Sequence, residues 1–293
     1  MATPAPQLSV ILCTRNRARR LGPCLERLAE SGRGARTEWE LVVVDNGSTD
    51  DTQAVLRAWL RDASTEARLL AEPRVGLSAA RNRGVAAARG EVLVFLDDDC
   101  IVESDWLAAV AAAHLSDARP DLVGGRVDLW DREDARISVR TFDDPLEIRD
   151  FPTMCARLIG CNFSVRAAAL RGVGGFDEWL GAGTASGSAE DFDVFYRLLK
   201  AGRRLRYEPA VRLYHAHGRR DPAEVRALVR RYVRGRGAMY AKHAMRGDTA
   251  MLGHFLSELL GRSRHRARGD LARGALDFLR TQAGATRDGG GRP

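Results

Sequence analysis

The chain has 293 residues, 45% hydrophobic and 29% charged, a composition that excludes a low-complexity or disordered protein. Its net charge of +7 sits at one end: from Arg219 onward there are 17 Lys and Arg against 7 Asp and Glu, leaving 29 against 32 before it, so nucleic-acid binding by the chain as a whole is not indicated. The 5 cysteines form no C-x-x-C pair or zinc spacing, the N-terminus lacks a signal-peptide pattern, and no apolar run reaches the about 18–20 residues that cross a bilayer. The expectation is a cytoplasmic chain, soluble or peripheral at the inner face of the membrane.

Leu8–Cys13 reads as a buried strand, followed by the polar loop Thr14-Arg15-Asn16-Arg17 and a helix marked by Leu21, Leu25 and Leu28. Glu40–Asp45 is a second strand that stops at Asn46-Gly47-Ser48-Thr49-Asp50, where Ser48 or Thr49 is expected to cap the next helix. Arg68–Ala71 is a short third strand, and Gly76–Gly84 opens another helix. Val92–Leu96 is apolar throughout and ends in Asp97, Asp98 and Asp99. Adjacent carboxylates repel and need a cation or water to relieve them. Open α/β sheets bind ligands at the carboxyl ends of their strands. A divalent metal carrying a phosphorylated ligand is therefore the working expectation, against a solvated turn in which Asp99 or Ser104 caps a helix. That helix places Trp106, Leu107 and Val110 inward. Strand and helix alternate from residue 8 to about 117, the pattern of βαβ units and a parallel sheet.

Leu122–Trp130 reads as a further strand, and 131–153, with Pro145 and Pro152, as a structureless functional or mobile loop. Ile159–Val165 alternates like a strand, Gly181–Ser188 is loose enough for a lid, and Glu190–Lys200 is a helix with acids in its first turn. Short strands at 204–208 and 211–214 lead to His215-Ala216-His217. Beyond 221 the pattern is helical, and 286–293 is expected to be a disordered tail.

Three polar strand ends gather on one sheet edge in a doubly wound fold: Thr14-Arg15-Asn16, Asp45-Asn46-Gly47 and Asp97-Asp98-Asp99. Asp45 and Asp97 could accept protons from a base and a ribose; Arg81 and a metal on Asp99 could neutralise a diphosphate. Plainer readings stand beside these: a turn and cap at Asp45–Gly47, a surface position for Arg81, and helix-stabilising acids at Glu190-Asp191.

As a set, Ser9–Asn16, Val42–Asp50, Gly76–Gly84 and Phe95–Asp99 resemble family 2 glycosyltransferases with the GT-A fold. Gly160-Cys-Asn-Phe-Ser164, Gly174-Gly-Phe-Asp-Glu178 and Glu190-Asp191 before Arg197-Leu-Leu extend the resemblance over about residues 7–217. It implies an α/β fold: a mixed, mostly parallel sheet flanked by helices, with a Rossmann-like nucleotide-binding half. The catalytic domain would be 1–218, its nucleotide-sugar half 7–117 and its acceptor half 118–218, followed by a basic helical extension at 219–285. The implied activity is inverting transfer of a sugar from a nucleotide diphosphate sugar, UDP-sugar first, to a hydroxyl acceptor.

Residue by residue, the resemblance places Asp45 on the nucleotide base, helped by Thr14, Arg15, Asn16, Asn46 and Gly47. Asp97 would lie near the ribose with Asp98 in the same set, Arg81 near the diphosphate, and Asp99 on Mn²⁺ or Mg²⁺. Asp191 would be the general base, its pKa raised by the adjacent Glu190. Asn162, Trp179 and Glu190 would meet donor or acceptor sugar, although Trp179 could equally be core. His215 is a candidate third metal ligand against an ordinary strand-end histidine, and His217 a weaker one. Glycan, lipid-linked and small-molecule acceptors all stay open. The basic extension has three readings: helices packed on the catalytic domain, a membrane-surface patch, or a homodimer contact. A sugar-nucleotide pyrophosphorylase is disfavoured because Thr14-Arg15-Asn16-Arg17-Ala18 does not match its glycine-, arginine- and lysine-containing loop. The full acid set argues against a non-catalytic sugar-binding scaffold.

Overall fold

The computed structural model describes residues 7–63, 65–261 and 268–287. Strands β1 (Leu8–Thr14), β2 (Trp39–Asp45), β3 (Glu66–Ala71) and β4 (Val92–Asp97) lie parallel in the order β3-β2-β1-β4. Helices α1 (Leu21–Gly34), α2 (Thr52–Asp62) and α3 (Leu77–Ala87) connect them. The apolar runs are unbroken because alternate residues serve different cores on the two faces. Val10, Leu12, Leu41, Val43, Val94 and Leu96 join Leu21, Leu25 and Leu28 of α1 on one side. Ile11, Val42, Val44, Leu93 and Phe95 join Ala80 and Val85 of α3 on the other. Pairing sets Thr14 opposite Asp45 and Cys13 opposite Asp97, so three polar strand ends come level along one edge.

The second half adds β5 (Cys100–Val102), α4 (Trp106–Leu115), β6 (Leu122–Leu129), β7 (Leu146–Ile148), α5 (Phe151–Arg157), β8 (Asn162–Arg166), α6 (Ala167–Gly172), α7 (Glu190–Lys200) and β9 (Leu205–His215). The sheet runs on from β4 through β8, β6 and β9 to β5. Here it is mixed: β8 is antiparallel to β4 and β6, whereas β6 and β9 are parallel.

Four local expectations change. The two strands at 204–208 and 211–214 are one strand, β9, with Pro209 in the stretch where the register against β6 shifts. A proline has no N–H to donate, and the bulge is where none is needed. The 131–153 stretch carries β7 and the start of α5, whose N-cap Asp150 accepts from Thr153 N at 2.8 Å. Neither Ser48 nor Thr49 caps α2; Asp50 Oδ1 accepts from Thr52 N at 3.0 Å instead. Asp99 and Ser104 cap nothing, because the acidic turn leads into β5 and α4 begins after Asp105.

The basic extension forms α8 (Pro222–Met245), α9 (Thr249–Leu260) and α10 (Arg268–Arg287). Helix thus replaces the tail expected at 286–287, while 288–293 lie outside the described residues. No described helix is long and apolar enough to cross a membrane. Val233, Met239, Tyr240, Met251 and Leu271 of these helices belong to the same core cluster as Phe163 and Phe195. The seam between α7 and α8 is polar at its centre. Asp193 of α7, fully buried, accepts from Lys242 Nζ at 2.7 Å and His243 Nε2 at 2.9 Å, and pairs with Arg197 at 2.8 Å.

Burial disfavours the charged Asp193, yet His243, Arg197 and Lys242 hold its carboxyl well below the usual range. Its stabilisation is therefore present above the unfolded carboxyl value of about 3.9 and is lost as the pH falls through the folded one. Asp193→Ala leaves Lys242 and His243 buried without it, which costs about 3–5 kcal/mol. The expected result in urea unfolding is a lower midpoint with an unchanged slope.

Candidate active site

At the carboxyl edge of the sheet lies a cavity of about 920 Å³. Its walls are the first two strand-end loops, the acidic turn, the start of α7, His215 and one face of α8.

The β1–α1 and β2–α2 loops are stitched together before any ligand arrives. Asn16, with a left-handed φ of 55°, accepts from Thr49 N at 2.8 Å and donates its own N–H to Ser48 Oγ at 2.9 Å. Arg17 N donates to Thr52 Oγ1 at 2.8 Å. Asn46 reaches the carbonyls of Glu72 at 3.0 Å and Arg74 at 2.7 Å and accepts from Gly76 N at 2.9 Å, fixing the start of α3. Gly47 makes the left-handed turn (φ 68°) that lets β2 leave the sheet. Thr14, Arg15 and Asn46 line the cavity; Asn16 and Gly47 do not. Asp45 does not reach it either. The residue is fully buried, and its carboxylate accepts from Gln53 Nε2 at 2.6 Å and Ser48 N at 3.3 Å.

The three acids of the turn separate. Asp97 is paired with Arg81 at 3.2 Å, its side chain still 35% exposed to the cavity, and burial raises its carboxyl. Asp98 turns back towards β1, accepting from Thr14 Oγ1 at 2.7 Å and pairing with Arg17 Nε at 3.1 Å. Burial pushes it up to about 7 despite Arg17. Asp98 lines the cavity too, with both its oxygens bracing the loop. Asp99 lies 3.2 Å from His215 Nε2, and Cys100 pairs with His215 across β5 and β9. Burial opposes charge on both, but the contact holds Asp99 well below the usual carboxylate range and His215 up at about 9.

Asp99, Cys100 and His215 can bring one ligand atom each within 4.8 Å of one another. The Cys100 thiol is pushed well above its ordinary value by burial and the Cys161 contact, and a protonated thiol suits no hard cation. The carboxylate fits Mn²⁺ or Mg²⁺, and the imidazole, a common ligand of first-row metals, fits Mn²⁺ better than Mg²⁺. His217 is outside this group. It packs edge-on to His215 at 5.0 Å between ring centres and turns Nδ1 to Asp134 at 3.6 Å, so it positions the loop rather than completing the cluster.

Arg81 is not a surface residue. It is buried, pairs with Asp97 and with Glu190 Oε1 at 3.0 Å, donates to Gly160 O at 3.0 Å, and lies over the rings of Phe95, Phe163 and Phe176 at 5.8, 5.9 and 5.4 Å. One guanidinium thus ties the acidic turn to the start of α7. The neighbouring Asp191 also lines the cavity, but no cation lies within ion-pair distance of it among the described residues; its Oδ1 accepts only from Phe192 N at 2.8 Å. Ala189, in the left-handed region (φ 78°), starts the helix so that both acids face inward. Gly160 makes room for Asp191, since a Cβ there would sit 2.4 Å from its Oδ2. Burial and Asp191 raise the Glu190 carboxyl to about 7 against the pull of Arg81, and burial raises Asp191 as well.

Two expected sugar contacts are corrected. Asn162 is buried below the cavity: its amide donates to Arg126 O at 3.0 Å and Val211 O at 2.9 Å, and its Oδ1 accepts from Trp106 Nε1 at 3.1 Å. It joins β8 to β6 and β9. Trp179 is neither core nor cavity wall; it is 47% exposed outside the lining. The sequence reading also missed residues that do line the site. Arg17, next to the singled-out loop, spans Asp98 and Asp99. Ser138 and Arg140 enter from the supposed loop, and Leu228, Arg231, Tyr232 and Met239 from α8.

A family model described as glycosyl transferase family 2 matches residues 9–174, and one described as glycosyl transferase family group 2 matches residues 92–263. The pre-mycofactocin glycosyltransferase of Mycobacterium tuberculosis is 32% identical over 218 residues, which are 72% of this chain and 43% of that protein. The chain therefore spans less than half the length of this curated relative. Among solved structures, mannosyltransferase PcManGT from Pyrobaculum calidifontis, in complex with GDP-Man and Mn²⁺, aligns with a TM-score of 0.64 at 22% identity, over 97% of this chain and 81% of that one. S. aureus TarS 1–349 in complex with UDP gives 0.63 at 19% identity, over 98% and 93%. At that identity the two structures speak for a shared GT-A fold. With the first family model covering more than half of its residues, the chain belongs to glycosyl transferase family 2.

Proposed function

We propose that the chain is a metal-dependent inverting glycosyltransferase that moves a sugar from a nucleotide diphosphate sugar, UDP-sugar foremost, to a hydroxyl acceptor. The observation that carries this reading is the contrast between two neighbouring acids: Glu190 is ion-paired to Arg81, whereas Asp191 faces the cavity with no cation within ion-pair distance among the described residues, and burial raises its carboxyl. A general base has to be unpaired and within reach of its proton. Asp191 takes the proton of the acceptor hydroxyl as that oxygen bonds to the anomeric carbon. The bond from that carbon to the diphosphate breaks, and the nucleotide leaves with the electron pair. Attack from the face opposite an α-linked donor gives a β-linked product. Asp99 and His215 would hold the divalent cation, which when bound neutralises charge on the diphosphate.

Arg15, Asn46 and Asp97, which line the cavity, meet the nucleotide, and Asp45 stands behind them, held by Gln53 and Ser48. The nucleotide-sugar half is 7–117 and the acceptor half 118–218, completed by the inner face of α8. The GDP-Man with Mn²⁺ and the UDP bound by the two structural neighbours support a nucleotide sugar as donor. A thermal-shift screen of nucleotide sugars with Mn²⁺ tests this, since a donor at about 100 times its Kd adds about 2.7 kcal/mol to stability. One nucleotide class should raise Tm and be hydrolysed slowly without acceptor. A flat screen overturns the reading, and stabilisation without any nucleotide release indicates a non-catalytic sugar-binding protein.

A further inference from the structure

The arginines that line the cavity divide sharply by partner. Arg17 is paired with Asp98 and Asp99, Arg81 with Asp97 and Glu190, and Arg236 with Glu258; Arg140 donates to the carbonyls of Leu158, Val139 and Cys155. Arg15, Arg219 and Arg231 have no carboxylate within ion-pair distance among the described residues. Arg15 belongs to the nucleotide side, on the β1–α1 loop. The other two belong to the opposite wall.

Both are held by their backbones while their guanidinium groups are left open. The Arg231 carbonyl accepts from Ser188 Oγ at 3.1 Å, and a Cβ on Gly187 would be in ordinary contact with the Arg231 stem at 3.5–3.8 Å, so this exposed arginine stands at the cavity rim beside the glycine-rich loop. Gly235 permits this contact, because a Cβ there would come within 2.1 Å of Ser188 Oγ. Arg219 N donates to His217 Nδ1 at 3.0 Å, between Gly218 and Arg220, which are both fastened to Asp134 at 2.9 and 3.1 Å. Arg220 is fully engaged by Asp131, Glu133 and Asp134; Arg219, its neighbour, is turned to the cavity. Tyr232, beside Arg231, donates to or accepts from Ser138 Oγ at 3.0 Å and lies close enough to Asp191 and Arg219 to feel both charges. Arg219 is also close enough to Asp99 to lower its carboxyl, so its charge lies between the acidic turn and Asp191. Leu228 and Met239 of α8 share this wall with Phe192.

We propose that Arg231, with Arg219, forms a subsite for an anionic group on the acceptor, a phosphate or carboxylate, next to an apolar patch that takes an uncharged part of the same molecule. The assignment rests on the glycosyltransferase reading above. It names the acceptor class as a hydroxyl compound that carries a negative charge close to its reacting hydroxyl.

Titration calorimetry of the full chain with Mn²⁺ and saturating UDP tests it, using phenyl phosphate and benzoate as probes and benzyl alcohol as the uncharged control. One or both anions should bind more tightly than benzyl alcohol, and which of them does so tells phosphate from carboxylate. In Arg231→Gln and in the double variant with Arg219→Gln, the anion should bind at least about tenfold more weakly, the loss of one charge-assisted hydrogen bond. The Kd for UDP should stay within about threefold. A parallel loss of UDP affinity overturns the proposal, since the guanidinium groups then serve the donor diphosphate. Anion affinity unchanged by the substitutions, or no anion binding in the unsubstituted chain, overturns it too. The nucleoside diphosphate used is the one the nucleotide-sugar screen selects, and if the unsubstituted chain binds neither UDP nor GDP in Mn²⁺, the transferase reading falls first.

Discussion

Asp191→Asn is expected to lower kcat by about 10²–10⁴-fold, the span that general-base catalysis contributes, while the donor Kd stays within about twofold. The substitution keeps the shape that fits against Gly160 and removes only the ability to take a proton. Donor affinity that falls in step with kcat would show Asp191 to be a binding residue. The pH profile provides a second check. Asp191 must be ionised to act, and burial raises its carboxyl, with Glu190 beside it raised to about 7. The two carboxyls titrate as a pair. Activity should therefore fall on acidification at a pH above the ordinary carboxylate range of about 3.9–4.3. Glu190→Gln removes a neighbouring negative charge, so the acid limb of kcat/KM should move to lower pH. A limb that stays in place would show that another group sets it.

Removal of divalent metal is expected to stop transfer, with recovery on adding Mn²⁺ or Mg²⁺. Asp99→Asn should abolish the Mn²⁺-dependent rise in Tm expected with UDP, an equilibrium readout independent of turnover. The physical basis is local. The turn gathers Asp97, Asp98 and Asp99, yet Arg81 neutralises the first and Arg17 braces the second. Asp99, which Arg17 also touches at 3.3 Å, stands with His215 as the carboxylate–imidazole pair at the cavity. Activity indifferent to a chelator, together with an unchanged Mn²⁺-dependent Tm in Asp99→Asn, would remove the metal role from both residues.

Much of this was determined by sequence alone, because it depends on local pattern. Unbroken apolar runs that end in polar residues dictate parallel strands with their ligating ends on one edge, and register then sets Thr14, Asp45 and Asp97 level. The acids at 190–191 mark a helix start, but neighbours on a helix point about 100° apart, and it is the left-handed Ala189 that turns both towards the cavity. Tertiary structure decided what the same residue types are paired with. Three adjacent aspartates look alike in sequence, but Thr14 and Arg17, some 80 positions away, turn Asp98 into a brace. Asn162 reads as a sugar contact until Trp106, Arg126 and Val211 are found to take up its amide. In α8 the interleaved arginines suggest one solvated face. Only packing against α9 and α10 shows which of them are neutralised, and that Arg231, like Arg219 ahead of the helix, is open to the cavity. Long-range charge pairing has no sequence period, and here it separates the acids and arginines that brace the fold from those left free to meet a ligand.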